Sequence, residues 1–142
     1  FYVPGFNLRA TDLQSFIGLR AIDKLDKYVV KRNINFKNYL SFIKNNKLQL
    51  LNDNSNFISS FAIPIVHKER DNIVKDLINN NTDLHPYIAG NMASKPMWTK
   101  KYKKPILPNA ELLEEQGFYI PNHQDLTIQE IKQIADIINS YE

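Results

Sequence analysis

The chain has 142 residues, of which 43% are hydrophobic and 23% are charged. This length is enough for one domain with a modest hydrophobic core. Eighteen basic and 15 acidic residues give a formal net charge of +3, which is too small to indicate a nucleic-acid partner or an anionic membrane surface. The lack of cysteine excludes disulfides, thiolate metal sites and a cysteine nucleophile within these residues. No apolar run reaches the roughly 20 residues of a membrane span, so we expect a cytoplasmic protein without a membrane partner.

One long helical pattern covers residues 11–46. Thr11 and Gln14 have the spacing of a capping box, in which each side chain accepts a hydrogen bond from the backbone of the other residue. Apolar residues then recur at steps of three and four, which predicts a buried stripe on one helix with a bend near residues 33–35. The stripe consists of Leu13, Phe16, Ile17, Ala21, Ile22, Leu25, Tyr28, Val29, Phe36, Tyr39, Leu40 and Ile43. Gly18 lowers the helix propensity by about 1 kcal/mol relative to Ala, which we interpret as close packing against another element.

Shorter elements are predicted after this helix. Strands are expected over residues 47–51, 57–66, 84–89 and 118–120, and helices over residues 70–79, over residues 109–116 and after residue 127. The polar run at residues 52–56 predicts a turn, and residues 89–107 are expected to be irregular. Pro64 indicates either an edge position for its strand or the end of the strand. Asn109 is the expected cap of one helix, and Thr127 with Glu130 forms a second capping box.

Two of these helices have a predicted buried face, formed by Ile73, Val74, Leu77 and Ile78 in the first and by Ile128, Ile131, Ile134, Ile137 and Ile138 in the last. The order of elements predicts an α+β fold, with a long N-terminal helix and a small, mostly antiparallel sheet flanked by helices.

Residues that could carry chemistry are few. His67, His85 and His123 are scattered, and no spacing of His, Asp or Glu indicates a metal site. The stretch "KPMWTKKYKK" at residues 95–104 interleaves lysines with aromatic residues. It is open to three interpretations: a single-stranded nucleic-acid contact, a solvated loop with two aromatic anchors, or a group of lysines that holds the diphosphate of a nucleotide-linked small molecule. The mild overall charge argues against the first.

Four stretches, in order, resemble one family. They are "PGFNLRATDLQSFIGLRAIDKLD" (residues 4–26), "SFAIPIV" (60–66), "DLHPYIAGNMASKPMW" (83–98) and "GFYIPNHQDLT" (117–127). Together they are similar to the pyridoxal-phosphate-dependent nucleotide-sugar aminotransferases of the DegT/DnrJ/EryC1/StrS family. The resemblance implies the C-terminal small domain of a fold-type-I aminotransferase over residues 11–142. Residues 1–10 would be an inter-domain and cofactor loop. The large domain with the Schiff-base lysine would lie upstream of this chain, so no catalytic residue is assigned within it.

The resemblance also implies an activity. Enzymes of this family take an amino group from a donor, usually glutamate, and transfer it to a keto-sugar carried on a nucleotide diphosphate, in pathways to deoxy-aminosugars and surface polysaccharides. Pyridoxal 5′-phosphate supplies the electron sink. The family members are homodimers whose sites contain residues of both subunits, which an isologous interface permits. This chain alone is expected to be inactive.

Site residues follow from the matching motifs. Asn7 would donate to the cofactor phosphate of the neighbouring subunit, and Arg9 would lie near the phosphate or a substrate anion, unless it pairs with an acidic residue of its own helix. In the loops that border the sugar nucleotide, His85, Asn91, Lys95 and His123 are either ligand contacts or loop scaffolding.

Two residues depart from the family pattern. His85-Pro86 stands where many relatives have Arg-Pro, and Lys95 stands where Gln is more familiar. Since an imidazole is mostly neutral near pH 7, an identical substrate anchor does not follow from the resemblance.

Two alternatives remain open from the sequence. The first is a 3-dehydrase-like deoxysugar enzyme of the same family, which uses the aminated cofactor and has histidine in place of the lysine. The Gly-Asn pair in "AGNMASKP" favours it slightly. The second is a stand-alone binding or dimerisation module that has the fold without the chemistry.

Overall fold

A computed structural model describes residues 11–44, 57–87 and 90–141. Asn7, Arg9, the predicted strand at residues 47–51 and the predicted turn at residues 52–56 lie outside the described residues. The helices are α1 (Asp12–Ile22), α2 (Leu25–Phe42), α3 (Arg70–Asn79), α4 (Pro96–Thr99), α5 (Pro108–Gln116) and α6 (Ile128–Asn139), and a 3-10 turn covers Met92–Ser94. The strands are β1 (Ala62–Val66), β2 (His85–Pro86) and β3 (Gly117–Pro121).

The three strands form one antiparallel sheet in the order β1-β3-β2. Pro64 lies in the middle of β1, which is an outer strand of the sheet formed by the described residues, so the edge position is the predicted alternative that holds there. The predicted strands at residues 57–66 and 84–89 are shorter in the structure, because ladder pairing begins only at Ala62 and the described part of β2 pairs at two residues. The α+β prediction is confirmed.

One face of the sheet carries the core. Side chains alternate between the two faces of a strand, so Ile63 and Ile65 of β1 lie beside Ile120 and Phe118 of β3. All four side chains are fully buried, in one cluster with residues of α2, α3 and α6. Each helix contributes apolar side chains at helical spacing: Phe36 and Tyr39 from α2, Ile73 and Leu77 from α3, and Ile131, Ile134, Ala135 and Ile138 from α6. The other face of the sheet includes Pro64 and Tyr119, which are only partly buried.

The predicted long helix is two helices. The break falls at Asp23 and Lys24, about ten residues before the predicted bend. Asn33 and Asn35 lie inside α2, buried and engaged in tertiary contacts. The Asn33 side-chain oxygen accepts from the Ile58 N–H at 3.0 Å, and the Asn35 amide donates to the His123 carbonyl at 2.8 Å. These asparagines therefore attach neighbouring segments to α2 and do not bend it.

The apolar stripe is buried only in its second half. Phe36, Tyr39 and Ile43 lie in the core, but α1 has no buried residue. Leu13, Phe16 and Ile17 are between 58% and 70% exposed. The predictions that Ile78 and Ile128 are buried are also wrong, since both side chains are more than half exposed. Periodicity identifies the apolar face of a helix, but the described residues do not cover the apolar face of α1.

Helix ends follow the sequence closely with one exception. Both capping boxes are present, at Thr11 with Gln14 and at Thr127 with Glu130. Asn109 is not a cap: α5 begins at Pro108, whose missing N–H suits a first helical position, so Leu107 takes the cap position without a side-chain bond. Within the described ranges, no helix combines the length and apolar character needed to cross a membrane.

Candidate functional site

The outer face of the sheet carries aromatic side chains. His85 of β2 pairs in register with Tyr119 at the centre of β3. The ring of Tyr119 lies 4.7 Å from that of Tyr87 and 6.0 Å from that of Phe61, measured between centroids. Burial, followed by the neighbouring Tyr119, raises the pKa of Tyr87 to about 12, so its hydroxyl stays protonated at neutral pH and can donate a hydrogen bond.

His85 lines a small cavity on this face. The cavity has a volume of about 250 Å³, and its walls include Phe61, Asp83, His85, Tyr119 and Pro121. Its lining combines aromatic rings with one imidazole and one carboxylate. The surface that faces the cavity is mostly apolar, and aromatic faces suit a planar or sugar ring. This is the size of a subsite for part of a ligand.

A second group of predicted residues lies at the other end of β3. The segment of residues 90–95, called here the 90–95 segment, contains Asn91 and Lys95 and packs against α5. The ammonium of Lys95 pairs with the carboxylate of Glu114 on α5. The hydroxyl of Ser94 donates to the same carboxylate at 3.2 Å. Lys95 is thus held in place and is only partly accessible, with 24% of its side chain exposed.

Asn91 is almost fully buried, at 2% exposure. Its side-chain oxygen accepts from the Ala93 N–H at 3.0 Å and caps the short turn that follows. Its side-chain nitrogen has no hydrogen-bond partner among the described residues. A buried donor without a partner is costly, so an acceptor that reaches this nitrogen, from a ligand or from residues outside the described ranges, would be stabilising.

His123 lies apart from His85. It follows β3 by two residues, is 58% exposed, and accepts from the Asp125 N–H at 3.3 Å through Nδ1. It does not line the cavity that contains His85. The fold therefore brings His85 opposite the middle residue of β3 and places Asn91 and Lys95 beside α5, while His123 belongs to the loop between β3 and α6.

Several residues of this region were not predicted from the sequence. Glu114 contacts Lys95 across 19 residues of sequence, and no local pattern marks it. Tyr119 could have been found from strand alternation, because it lies between Phe118 and Ile120, which face the core.

The basic stretch at residues 95–104 has the character of a solvated segment with aromatic anchors. The rings of Trp98 and Tyr102 pack on each other at 4.8 Å. Lys104 pairs with Glu111 at 2.8 Å, and this bond raises the pKa of its ammonium. The two rings contact each other and both remain partly exposed to solvent, which fits a solvated segment with aromatic anchors.

A separate groove of about 640 Å³ lies between α2 and the loop that precedes α6. Lys24, Lys27 and Lys31 line it at helical spacing, with Asp125 opposite. All three lysines are exposed, as is typical of a solvated helix face, and none of the predicted site residues contributes to the lining.

The described residues do not by themselves offer a site for pyridoxal phosphate. Their buried polar side chains are four asparagines and one histidine, namely Asn33, Asn35, Asn91, Asn122 and His67. Every lysine in the described ranges is exposed except Lys95, which is half-buried and paired with Glu114. A cofactor that is an aldehyde and a phosphate needs an amine and convergent donors, and this part of the chain lacks that set. No group of three or more His, Asp or Glu side chains is placed to bind a metal ion within the same ranges.

Comparison with known proteins shows what the chain is similar to. It is 23% identical over 146 residues to GDP-4-keto-6-deoxy-D-mannose 3-dehydratase of Escherichia coli O55:H7, which covers 97% of this chain and 38% of that protein. A crystal structure of GDP-4-keto-6-deoxymannose-3-dehydratase with a trapped PLP-glutamate geminal diamine superposes with a TM-score of 0.77 at 23% identity, covering 97% of this chain and 38% of that one. The sugar aminotransferase CalS13 of Micromonospora echinospora has a TM-score of 0.79 at 14% identity, covering 97% of this chain and 37% of that one.

These similarities show that the chain has the fold of one part of such enzymes, and the chain spans about two-fifths of the length of the relatives it matches. The sequence profile of the DegT/DnrJ/EryC1/StrS aminotransferase family matches residues 2–139, nearly the whole chain. The chain therefore belongs to the DegT/DnrJ/EryC1/StrS aminotransferase family.

Proposed function

We propose that this chain is the small-domain part, over residues 11–142, of a pyridoxal-phosphate-dependent enzyme that aminates a nucleotide-linked keto-sugar with a donor such as glutamate. The family match over residues 2–139 carries this proposal. Its fold-related neighbours include a sugar aminotransferase and an enzyme with a trapped PLP-glutamate adduct. Membership of this family supports the proposal that the chain is part of a PLP-dependent sugar enzyme.

The geometry supports a role in holding the substrate. The cavity beside His85 has aromatic walls suited to a ring. Tyr87 is not among its lining residues, and its ring packs on that of Tyr119. Lys95 is the positive charge of the 90–95 segment, and an ammonium has three donors, so its bond to Glu114 leaves others for a phosphate oxygen. We assign His85, Asn91 and Lys95 to the substrate region and His123 to its rim.

The cofactor would be held mainly by a large domain outside this chain, with Asn7 and Arg9 as this chain's contribution. Asn7 would donate to the phosphate as a neutral amide, and Arg9 would add a fixed positive charge. When bound, pyridoxal phosphate supplies the electron sink of the reaction. We expect a homodimer in which Asn7 of one subunit serves the site of the other.

A second candidate reaction is removal of a ring hydroxyl, as in a 3-dehydratase. The observation that favours it is the similarity to GDP-4-keto-6-deoxy-D-mannose 3-dehydratase over 97% of this chain. The residue that would separate the two reactions, lysine or histidine at the cofactor, would belong to the large domain outside this chain. Both reactions would use the same substrate region.

The test uses the full open reading frame that contains this chain. The purified protein is incubated with pyridoxal phosphate, glutamate and a GDP- or TDP-linked 4-keto-6-deoxysugar, and the product is identified by NMR and mass spectrometry. A new amine on the sugar supports amination, and a lost ring hydroxyl supports the dehydratase. No turnover, with no cofactor retained, indicates a binding module. Asn7→Ala should then weaken retention of the cofactor, measured by its absorbance after dialysis.

A further inference from the structure

Glu114 of α5 is the centre of the contacts that hold the 90–95 segment. Its carboxylate accepts hydrogen bonds from Lys95 and Ser94, and the backbone N–H of Asn91 also bonds to it. These bonds, that of Lys95 first, lower the pKa of the Glu114 carboxyl, so it stays ionised at neutral pH. One side chain thus contacts three positions of the segment.

The stem of Glu114 also packs against the segment. Gly90 has φ of +59°, a left-handed conformation that L side chains rarely adopt. A Cβ added at Gly90 would lie 2.8 Å from Cγ of Glu114. A side chain at position 90 would therefore be strained by the backbone conformation and would displace the stem of Glu114.

Helix α5 is also held by a hydrogen bond from the start of α3. The guanidinium of Arg70, at the start of α3, donates to the backbone carbonyl of Glu114 at 2.9 Å. The next strand, β3, begins at Gly117, three residues after Glu114. The glutamate is therefore fixed to the same framework that carries His85 and Tyr119.

We propose that Glu114 is a positioning residue for the substrate, which it serves by holding the 90–95 segment so that Asn91 presents its unused amide donor and Lys95 its remaining donors. This inference rests on the proposed function, which places Asn91 and Lys95 at the nucleotide sugar. It also explains why lysine occupies position 95. The Lys95 ammonium forms an ion pair with Glu114, whereas a glutamine is neutral and could form only an uncharged hydrogen bond from its side chain.

The first measurement concerns the segment itself and does not depend on activity. Hydrogen–deuterium exchange is compared for wild type, Glu114→Ala, Glu114→Gln and Glu115→Ala. Glu115 is an exposed neighbour on the same helix and serves as the matched control. Exchange in residues 90–95 should rise in Glu114→Ala and less in Glu114→Gln, which keeps an acceptor oxygen, while α6 is unchanged. Equal exchange in wild type and Glu114→Ala would show that Glu114 does not hold the segment.

The second measurement uses steady-state kinetics of the full-length protein with its nucleotide sugar. Glu114→Ala should raise KM for the nucleotide sugar about tenfold with little change in kcat, as expected for losing a charge-assisted contact that orients the ligand. Glu114→Gln should restore part of the loss, and Glu115→Ala should match wild type. A rise in exchange without any change in KM would overturn the positioning role. A wild-type protein that turns over no nucleotide sugar would overturn the proposed function, and the exchange measurement would still decide whether Glu114 holds the segment.

Discussion

The hydroxyl of Tyr39 donates a hydrogen bond to the backbone carbonyl of Pro121 at 3.0 Å, which joins the last turn of α2 to the end of β3. Tyr39 is fully buried. Tyr39→Phe keeps the ring but leaves that carbonyl without its phenolic partner, so we expect a loss of about 1–2 kcal/mol in the free energy of unfolding. Urea denaturation measures it. Tyr102→Phe, at a ring that is 58% exposed, is the control and should leave the midpoint unchanged. Equal midpoints for wild type and Tyr39→Phe would contradict the assignment.

Alkaline pH should destabilise the fold. Burial raises the pKa of Tyr87 to about 12 from its ordinary value of 10.0, and burial also raises the pKa of Tyr39. Above pH 10 the unfolded chain loses these protons while the folded chain keeps them, so the free energy of unfolding falls as pH rises from 10 towards 12. The measurement is urea unfolding across this range with tyrosinate absorbance alongside. Tyr87→Phe should make the fall shallower, and an unchanged slope would count against the raised pKa.

Gly18→Ala should stabilise this chain. Nothing lies within 4 Å of a Cβ added at Gly18, and the residue is inside an exposed helix. The gain in helix propensity is about 1 kcal/mol locally, and it should appear as greater protection of α1 amides in hydrogen exchange. Gly117→Ala is the contrasting variant, since its Cβ would lie 2.4 Å from the Leu113 carbonyl oxygen and 2.6 Å from the Tyr87 ring. That variant should unfold at lower denaturant. Destabilisation by Gly18→Ala would show that another part of this chain packs closely against the α1 backbone at Gly18.

The two capping boxes should differ in their effect on stability. Both threonines accept from the backbone N–H three residues later. Thr127→Ala should cost about 1 kcal/mol in global unfolding, because α6 contributes four buried residues to the core. Thr11→Ala should fray only the start of α1, which has no buried residue. Urea denaturation and amide exchange of the two helices separate these outcomes. A global loss of the same size in Thr11→Ala would mean that α1 unfolds together with the core.

This chain alone should not form a stoichiometric complex with pyridoxal phosphate. In the described ranges only Lys95 among the lysines is even half-buried, and it is paired with Glu114. Titration followed by cofactor absorbance should show only weak adducts spread over exposed lysines, as with an unrelated protein of similar lysine content. A saturable one-to-one complex that survives dialysis would contradict this expectation and the division of the site between two domains.

The parts of the fold that local signals define were predicted well. Helix α3 has the predicted bounds, and α6 begins directly after the Thr127 capping box, because spacing and caps are properties of neighbouring residues. β3 was also found, since a short apolar run lies between polar residues. Antiparallel pairing then followed from the order of the elements.

Features that depend on distant residues could not be predicted in the same way. The break at Asp23 has no glycine or proline to mark it, and the polar residues that suggested a bend, Asn33 and Asn35, use their amides for contacts with other segments. The pairing of Lys95 with Glu114 depends on α5 folding back against the 90–95 segment. The apolar residues of α1 have the spacing of a buried stripe, but sequence cannot say which surface covers them.

Pro64 has a consequence for the outer edge of β1. The N–H of His67 bonds to the carbonyl of Gln116 on the β3 side, so by the two-residue alternation of a strand the N atoms of Ile65 and Ile63 face β3 and that of Pro64 faces outward. An extended segment that paired with this edge of β1 would meet no backbone N–H donor at Pro64. The proline thus protects the sheet against strand addition by a second copy, the route by which exposed edges start to aggregate.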